Sequence, residues 1–519
     1  MRPQLPSLGD AVTAAQRTLA RFPTVILAGA VSATAMILLV DEVGPEALQL
    51  RLLATATLAL PLLVALTLFA ERPERRRGAL LALRLAGAAA LAGFYLAWPH
   101  WSEPVRAGRY CQLSVAFHLL VAFLPFLGRP LANAFWQFNR ALFTRFLAAA
   151  TSSGTLWVGL SLALLAINKL FGVDVPGTGY MRLWAVIAFV FNTWFFLGGV
   201  PDDPDALEER RDYPAVLRVF AQYTLVPLVS VYLVILTLYL GKVVVTWDWP
   251  SGWIGWLVSG VAGAGILALL LVHPAADQPE QHWIATFARQ FWLAILPSIV
   301  MLWLALYQRV HQYGITERRY FLIVLSLWLA ALAVYYSLTR SKNIRIVPAS
   351  LCLVALLTFA GPWSAYAVSE GSQVRRLRGL LERSGAFANG QARRATREPA
   401  TADAKEISAI VRYLVETHGT SAIAGWFADS LAARIGMGSG AVMGPAADRR
   451  AEQIVASLGI AYVAGRGSRG LAAGEYSYTA AAGSVVPLGG YDWLVPIRAA
   501  KGSVPPDTGL AALAVPAAR

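Results

Sequence analysis

Residues 253–272 read WIGWLVSGVAGAGILALLLV, 20 consecutive positions without a charged side chain. Only lipid makes such a run tolerable at that length, because about 20 apolar residues in an α-helix cover the roughly 30 Å hydrocarbon layer of a bilayer. The stretch before it, TLVPLVSVYLVILTLYLG at 224–241, has the same character. Working outward, apolar windows recur at about 22–40, 52–70, 79–98, 110–127, 153–172, 180–200, 219–241, 253–272, 286–307, 320–338 and 346–368, which predicts 11 transmembrane helices. The whole chain of 519 residues is 57% hydrophobic and 14% charged, with a mean hydropathy of +0.54. That excludes intrinsic disorder, which needs few apolar groups and many charges. The predicted fold class is an α-helical polytopic membrane bundle of about 11 transmembrane helices with a small C-terminal α+β soluble domain.

Charge orients the bundle. The formal net charge is +14, carried almost wholly by arginine. Most arginines flank apolar spans rather than forming a stripe on a soluble domain, so they read as topology signals, and the partner they imply is the lipid bilayer and not nucleic acid. Alternate connections hold 17 Lys and Arg on one side and 9 on the other. The richer set contains the N-terminal Arg2, Arg17 and Arg21 and the 71–78 loop, so the N-terminus is expected in the cytoplasm. With 11 spans the segment after 369 is then expected in the periplasm. No signal peptide is evident, since the first apolar segment is long enough to span. The segment 128–150, whose apolar face (Leu131, Phe135, Phe138, Leu142, Phe146) is interrupted by Asn139, Arg140 and Arg145, reads as interfacial.

The division expected is an interfacial, cytoplasmic N-terminal helix (1–21), the bundle (22–368), a juxtamembrane segment and linker (369–401), a soluble α+β domain (402–500) and a flexible tail (501–519). Three amphipathic helices are predicted in the soluble part, ending at Gly419, Gly436 and Gly459, each glycine suiting a C-cap. Short strands are predicted between 475 and 498, around Gly483 and Gly489-Gly490. Cys111 and Cys352, in or beside apolar runs, read as packing residues.

Several strings then occur in a recognisable order: AFWQFNRALF (134–143), LFGVDVP (170–176), TLVPLVSVYLVIL (224–236), WDWPSGW (247–253), RVHQYGITERRYFL (309–322) and GPWSAYAVSEGSQVRRL (361–377). Together they resemble the bacterial domain-of-unknown-function family numbered forty-one fifty-three, whose members are multi-pass membrane proteins. The resemblance runs from about 130 to 385, with the YGITERRY block its most specific part. It implies a membrane location and brings no reaction, substrate or catalytic residue.

No GxxxxGK, HExxH or GxSxG string occurs, and no metal-ligand spacing among the 6 histidines, so no cofactor and no metal is expected and the chain leans away from enzymes of ordinary pattern. The GxGxxG match at 465–470 is followed by LAAGEYSY rather than a helix and reads as a basic loop. The densest polar constellation is Arg309, His311, Tyr313, Gly314, Thr316, Glu317, Arg318, Arg319 and Tyr320, between two spans. As an anchor it would set Arg and Tyr at the headgroups, Gly314 as the turn and Thr316 as an N-cap. As a site, His311 and Glu317 are the candidate proton-transfer (catalytic) residues, while Arg309, Arg318 and Arg319 would hold an anionic small molecule or lipid headgroup by bidentate hydrogen bonds, with Tyr313 and Thr316 among the candidate binding residues. The topology sets Lys169 and Asp174, the Trp247-Asp248-Trp249 loop, and Gln373, Arg375, Arg376 and Arg378 on the same side. Within the spans, Asn192 is expected in an interhelical hydrogen bond, Pro61, Pro227 and Pro297 are candidates for kinks, and Gly255, Ser259 and Gly263 offer a close-packing face. The acidic run Asp202 to Asp212 reads as a solvated loop. Three functions stay open: a transporter or carrier of an anionic small molecule or lipid headgroup, a membrane-embedded enzyme on a lipid-linked envelope substrate, or a non-catalytic scaffold or sensor with protein partners unspecified.

Overall fold

In the computed structural model, the residues described are 8–72, 77–246, 254–275, 281–339, 343–438, 440–463, 486–488 and 491–494. The chain divides into two compact units, Met1–Ala464 and Gly465–Arg519. In the second, Val486–Leu488 pairs antiparallel with Tyr491–Leu494. The GxGxxG loop at 465–470, Gly483, Gly489, Gly490 and the 501–519 tail lie outside the described residues.

The first unit is a polytopic helical bundle. Among the described residues, 10 helices are long and apolar enough to cross a membrane: Pro23–Val40, Glu46–Ala70, Gly78–His100, Glu103–Phe126, Ala132–Phe171, Gly177–Leu197, Ala215–Thr246, Ile254–Val272, His282–Tyr313 and Glu317–Thr339. The eleventh expected span, 346–368, is a helix of 12 residues, Ile346–Leu357. It stops early because Gly361, at φ +87°, and Pro362 make a turn before Ser364 caps the next helix through its side chain.

A second departure concerns 128–150, read as interfacial. It is continuous with the fifth span in one helix of 40 residues, Ala132–Phe171, about 60 Å long at 1.5 Å per residue. The polar residues that interrupt the apolar face each find a partner in place, so nothing ends the helix. Asn139 donates to the Phe135 and Ala122 carbonyls, Arg140 pairs with Asp212 at 2.7 Å, and Arg145 donates to the Phe195 carbonyl at 2.6 Å. The helix also begins on a borrowed cap, the Glu208 carboxylate accepting from the Ala134 amide at 2.6 Å.

Contacts sort the connections into two ends. At one end Arg21 bridges Glu71 (2.7 Å) and Asp202 (2.9 Å), Arg72 donates to the Leu127 carbonyl, Arg129 pairs with Asp205, and Arg345 reaches the Phe126 carbonyl. The acidic run 202–212 is therefore a strap across basic helix ends, with Leu207 buried beneath it, rather than a solvated loop. At the other end Arg182 pairs with Asp41 at 2.8 Å, Arg51 lies 3.5 Å over the Tyr95 ring, and Ser102 donates to the Thr417 carbonyl.

Helices approach closely at small residues, as lipid-embedded helices must when no hydrophobic force drives them together. A Cβ on Gly29 would lie 2.5 Å from the Phe189 carbonyl oxygen, and one on Gly265 would lie 2.1 Å from the Phe291 ring. The face expected at Gly255, Ser259 and Gly263 is only partly used: Gly255 meets Leu322, whereas Gly263 faces open space. Interhelical hydrogen bonds add about 0.6 kcal/mol each. Examples are Gln112 to Thr358 at 2.7 Å, Trp303 to Ser326 at 2.9 Å, and the expected partner of Asn192, Ser153, at 3.1 Å. Pro227 follows a π-helical turn, Phe220–Leu225, and Pro297 follows a break between the helices 282–294 and 296–313, whereas Pro61 sits inside an unbroken helix.

A helical module closes this unit. It comprises Ala365–Arg383, Thr401–Thr417, Ser421–Ala424, Asp429–Ile435 and Pro445–Ser457, around a core that includes Leu377, Leu381, Ile407, Val411, Leu414, Ile454 and Val455. Gly419, Gly436 and Gly459 all have positive φ. The segment 384–401, read as a linker, is folded instead. Phe387–Ala388 and Gln391–Ala392 form a hairpin over Asn389 (φ +52°) and Gly390 (φ +80°), the Asn-Gly turn chemistry such hairpins favour. Phe387 is buried against Trp426, and Ala395 donates to the Leu458 carbonyl.

Candidate functional site

The turn between the 282–313 and 317–339 helices is held from one side by the first helix of the module. Gly314 adopts φ +69°, which a side chain would strain, and a Cβ there would also lie 2.8 Å from Gln373 Nε2. Gln373 donates to both the Tyr313 and Ile315 carbonyls at 3.0 Å, and Ser372 Oγ accepts from the Ile315 amide at 3.0 Å. Arg376 donates to the His311 and Gln312 carbonyls while pairing with Glu406. Thr316 opens the next helix with its carbonyl, which accepts from the Tyr320 amide at 2.8 Å.

The side chains of the turn split into two sets. Arg319 donates to the Tyr313 and Gly314 carbonyls (3.2 and 2.7 Å), and its guanidinium lies 5.6 Å from the Tyr313 ring centroid. Arg309 lies 6.0 Å from the same centroid. Two guanidinium groups thus share one aromatic ring, which softens but does not cancel their mutual repulsion. Among the described residues no carboxylate pairs with Arg309, Arg318 or Arg319. Arg318, Tyr313 and His311 are exposed.

Glu317 belongs to the other set. Its carboxylate accepts from the Tyr413 hydroxyl at 2.7 and 2.8 Å and from His418 Nε2 at 2.8 Å, and Tyr413 and His418 are themselves 3.1 Å apart. The His418 side chain is 5% exposed and that of Glu317 17%. Burial and the adjacent Glu317 charge push the Tyr413 hydroxyl well above the ordinary tyrosine range. Alongside, Tyr366 is pushed up to about 12 by burial first and then by Glu317. The Arg109 guanidinium lies 4.4 Å over Trp101, 5.3 Å over Phe359 and 5.2 Å over Tyr366. Tyr320 closes the group, its hydroxyl donating to the Trp363 carbonyl.

The structure thus gathers Arg309, Tyr313, Thr316, Glu317, Arg319, Gln373 and Arg376 at one junction. Arg378 turns away to Glu382 and the Phe387 ring. Lys169 and Asp174 are exposed, and among the described residues no contact joins them to the 309–319 turn; Asn168 beside them caps its own loop at the Val173 carbonyl. Trp247, Asp248 and Trp249 lie outside the described residues. Tyr413 and His418 carried no sequence signal, being about a hundred positions from Glu317 and isolated among module residues. Only docking of the 401–417 helix brings them to Glu317.

Residues 25–383 match the family described as domain of unknown function DUF4153, and the chain belongs to that family. A curated relative, the uncharacterized protein PM1469 of Pasteurella multocida (strain Pm70), is 25% identical over 276 residues, which are 51% of this chain and 45% of the relative. The chain therefore spans less than half the length of that relative. No solved structure matches.

Proposed function

We propose that this family member is a carrier or transporter of the bacterial inner membrane that holds an anionic lipid headgroup, or a small anion of the same chemistry, at Arg309, Tyr313 and Arg319. One observation carries the reading: two guanidinium groups converge on the Tyr313 ring with, among the described residues, no carboxylate paired to either. Guanidinium forks match phosphate and carboxylate bidentately. The turn lies at a helix end, where headgroups sit and where aromatic and basic residues concentrate. The excess of Lys and Arg on the N-terminal side supports a cytoplasmic N-terminus and, with it, a periplasmic face for this turn and the module. The enzyme reading is weaker, because the Glu317 oxygens already accept from Tyr413 and His418 and so are not poised for a substrate proton. A scaffold reading is favoured by that same trio, which fastens the module to the bundle.

The test is lipid retention by the full chain, purified with its native lipids and read by native mass spectrometry. Replacing Arg309 and Arg319 together with Gln removes two charges worth about 1 kcal/mol each near a membrane surface. Bound phosphatidylglycerol should fall about thirtyfold, with phosphatidylethanolamine unchanged. Competition by soluble glycerol phosphate would assign the site to a free anion instead of a lipid. Unchanged retention in the double variant would refute the site.

A further inference from the structure

A cavity of about 490 Å³ lies among the membrane helices, lined by Pro61, His118, Asn139, Phe143, Phe146 and Asn192 among others, none of them part of the junction described above. That volume is in the range of ligand sites, and most of the lining is hydrocarbon, as ligand sites require. Four polar side chains reach it: the Thr193 hydroxyl, which can donate or accept, and three that each have one face already engaged. His118 Nδ1 lies 2.7 Å from the Ser114 carbonyl and so donates to it, and in that tautomer of the neutral ring Nε2 is left as an acceptor. Asn139 spends its amide hydrogens on the Phe135 and Ala122 carbonyls at 2.8 and 3.1 Å, which leaves Oδ1 as a second acceptor. Asn192 Oδ1 accepts from Ser153, which leaves the Nδ2 hydrogens as donors. Among the described residues these remaining atoms have no partner, and unpartnered polar groups at membrane depth are costly.

That inventory, two acceptors, one amide donor and the Thr193 hydroxyl with no Lys or Arg among the lining residues, selects the occupant. A phosphodiester can only accept, and it would meet two acceptors with no fixed positive charge beside them. An acylglycerol supplies a hydroxyl to donate and ester carbonyls to accept, with chains for the apolar walls. Depth agrees: the lining residues Val25 and Leu197 fall within about a turn and a half of Arg21 and Asp202, which pair at the bundle end. A lipid in the cavity would therefore keep its glycerol near the headgroup level. We propose that this cavity binds an uncharged acylglycerol, its hydroxyl donating to His118 Nε2 or Asn139 Oδ1 and an ester carbonyl accepting from Asn192.

The experiment uses the full chain in phosphatidylcholine nanodiscs containing, at equal mole fraction, a diazirine-tagged diacylglycerol, phosphatidylglycerol or phosphatidylcholine, with labelled peptides mapped after irradiation. The diacylglycerol should label peptides holding Phe143, Phe146 and Phe196 about fivefold more than either phospholipid, the ratio set when one buried hydrogen bond decides. Unlabelled dioleoylglycerol should compete. Ala122→Phe and Leu142→Trp, which fill the cavity from two different helices, should each abolish the labelling, and His118→Leu with Asn192→Leu should erase the preference. Equal labelling by the phosphatidylcholine probe, stronger labelling by phosphatidylglycerol, or diacylglycerol preference that survives both filled variants would overturn the proposal. The Arg309/Arg319 double variant should leave this labelling unchanged, so the two sites fail or stand separately.

Discussion

Glu317→Leu is the sharpest perturbation of the junction. The leucine has roughly the volume of the glutamate but strands the Tyr413 hydroxyl and His418 Nε2, both of which face Glu317 at 2.7–2.8 Å. Each buried donor left unsatisfied costs about 1–3 kcal/mol. Glu317 serves two of them and retains 17% exposure, so water relieves part of the penalty and about 3 kcal/mol remains. The loss should appear as easier opening of the 401–417 helix, not as collapse of the bundle. About 3 kcal/mol corresponds to roughly a hundredfold faster amide exchange wherever that opening governs exchange. Hydrogen–deuterium exchange of the full chain in nanodiscs reads this directly, with the 254–272 helix as the internal control. Tyr413→Phe should give a smaller acceleration, because the carboxylate keeps His418. The double variant should be less than additive, since both substitutions break one network. A change below about threefold in 401–417 would show that the trio does not fasten the module, and an equal rise across the bundle would show general loss of the fold.

The remaining predictions address other parts of the molecule. Gly29→Ala forces a Cβ to 2.5 Å from the Phe189 carbonyl, so the 23–40 and 177–197 helices must part. A cost of about 1–3 kcal/mol should lower the thermal midpoint in detergent, and an unchanged midpoint would contradict the close approach. Gly390→Ala places a side chain at φ +80° in the hairpin turn. It should destabilise the module by about 1 kcal/mol, read as faster exchange at 386–393, while the bundle is unaffected. Tyr366 and Tyr462 are both raised to about 12 in the folded chain by burial, against about 10 when unfolded. The unfolded chain therefore releases these protons first as pH rises. Stability is complete below pH about 10 and falls as pH climbs towards 12. Denaturation midpoints across that window should drop, and Tyr462→Phe should flatten the decline; an identical slope in the variant would show that Tyr462 contributes nothing to it.

What the sequence by itself determined was the environment and the units. Charge-free runs such as 253–272 demanded a membrane, because no other solvent tolerates that much contiguous hydrocarbon. Glycines such as Gly419 and Gly459 marked helix ends because the left-handed conformation is local chemistry. The 309–322 block was legible as a dense polar turn, and Gly314 as its pivot, for the same local reason. Wherever a window average stood in for contacts, the reading erred. Arg140 and Arg145 broke the hydropathy of 128–150, but Asp212 and the Phe195 carbonyl, distant in sequence, satisfy them and keep one helix intact. The 384–401 stretch looked like a linker because its composition is polar, yet a two-residue turn and the buried Phe387 fold it into the module. The roles of Glu317 and Arg319 separated only in three dimensions. The two residues stand two positions apart in one helix, but docking of the 401–417 helix gives the first a buried partner set and leaves the second facing Tyr313 with no carboxylate among the described residues. Tertiary packing decided which of the two charges is spent on structure, because pairing depends on what arrives from elsewhere in the chain, and no spacing along the sequence records that arrival.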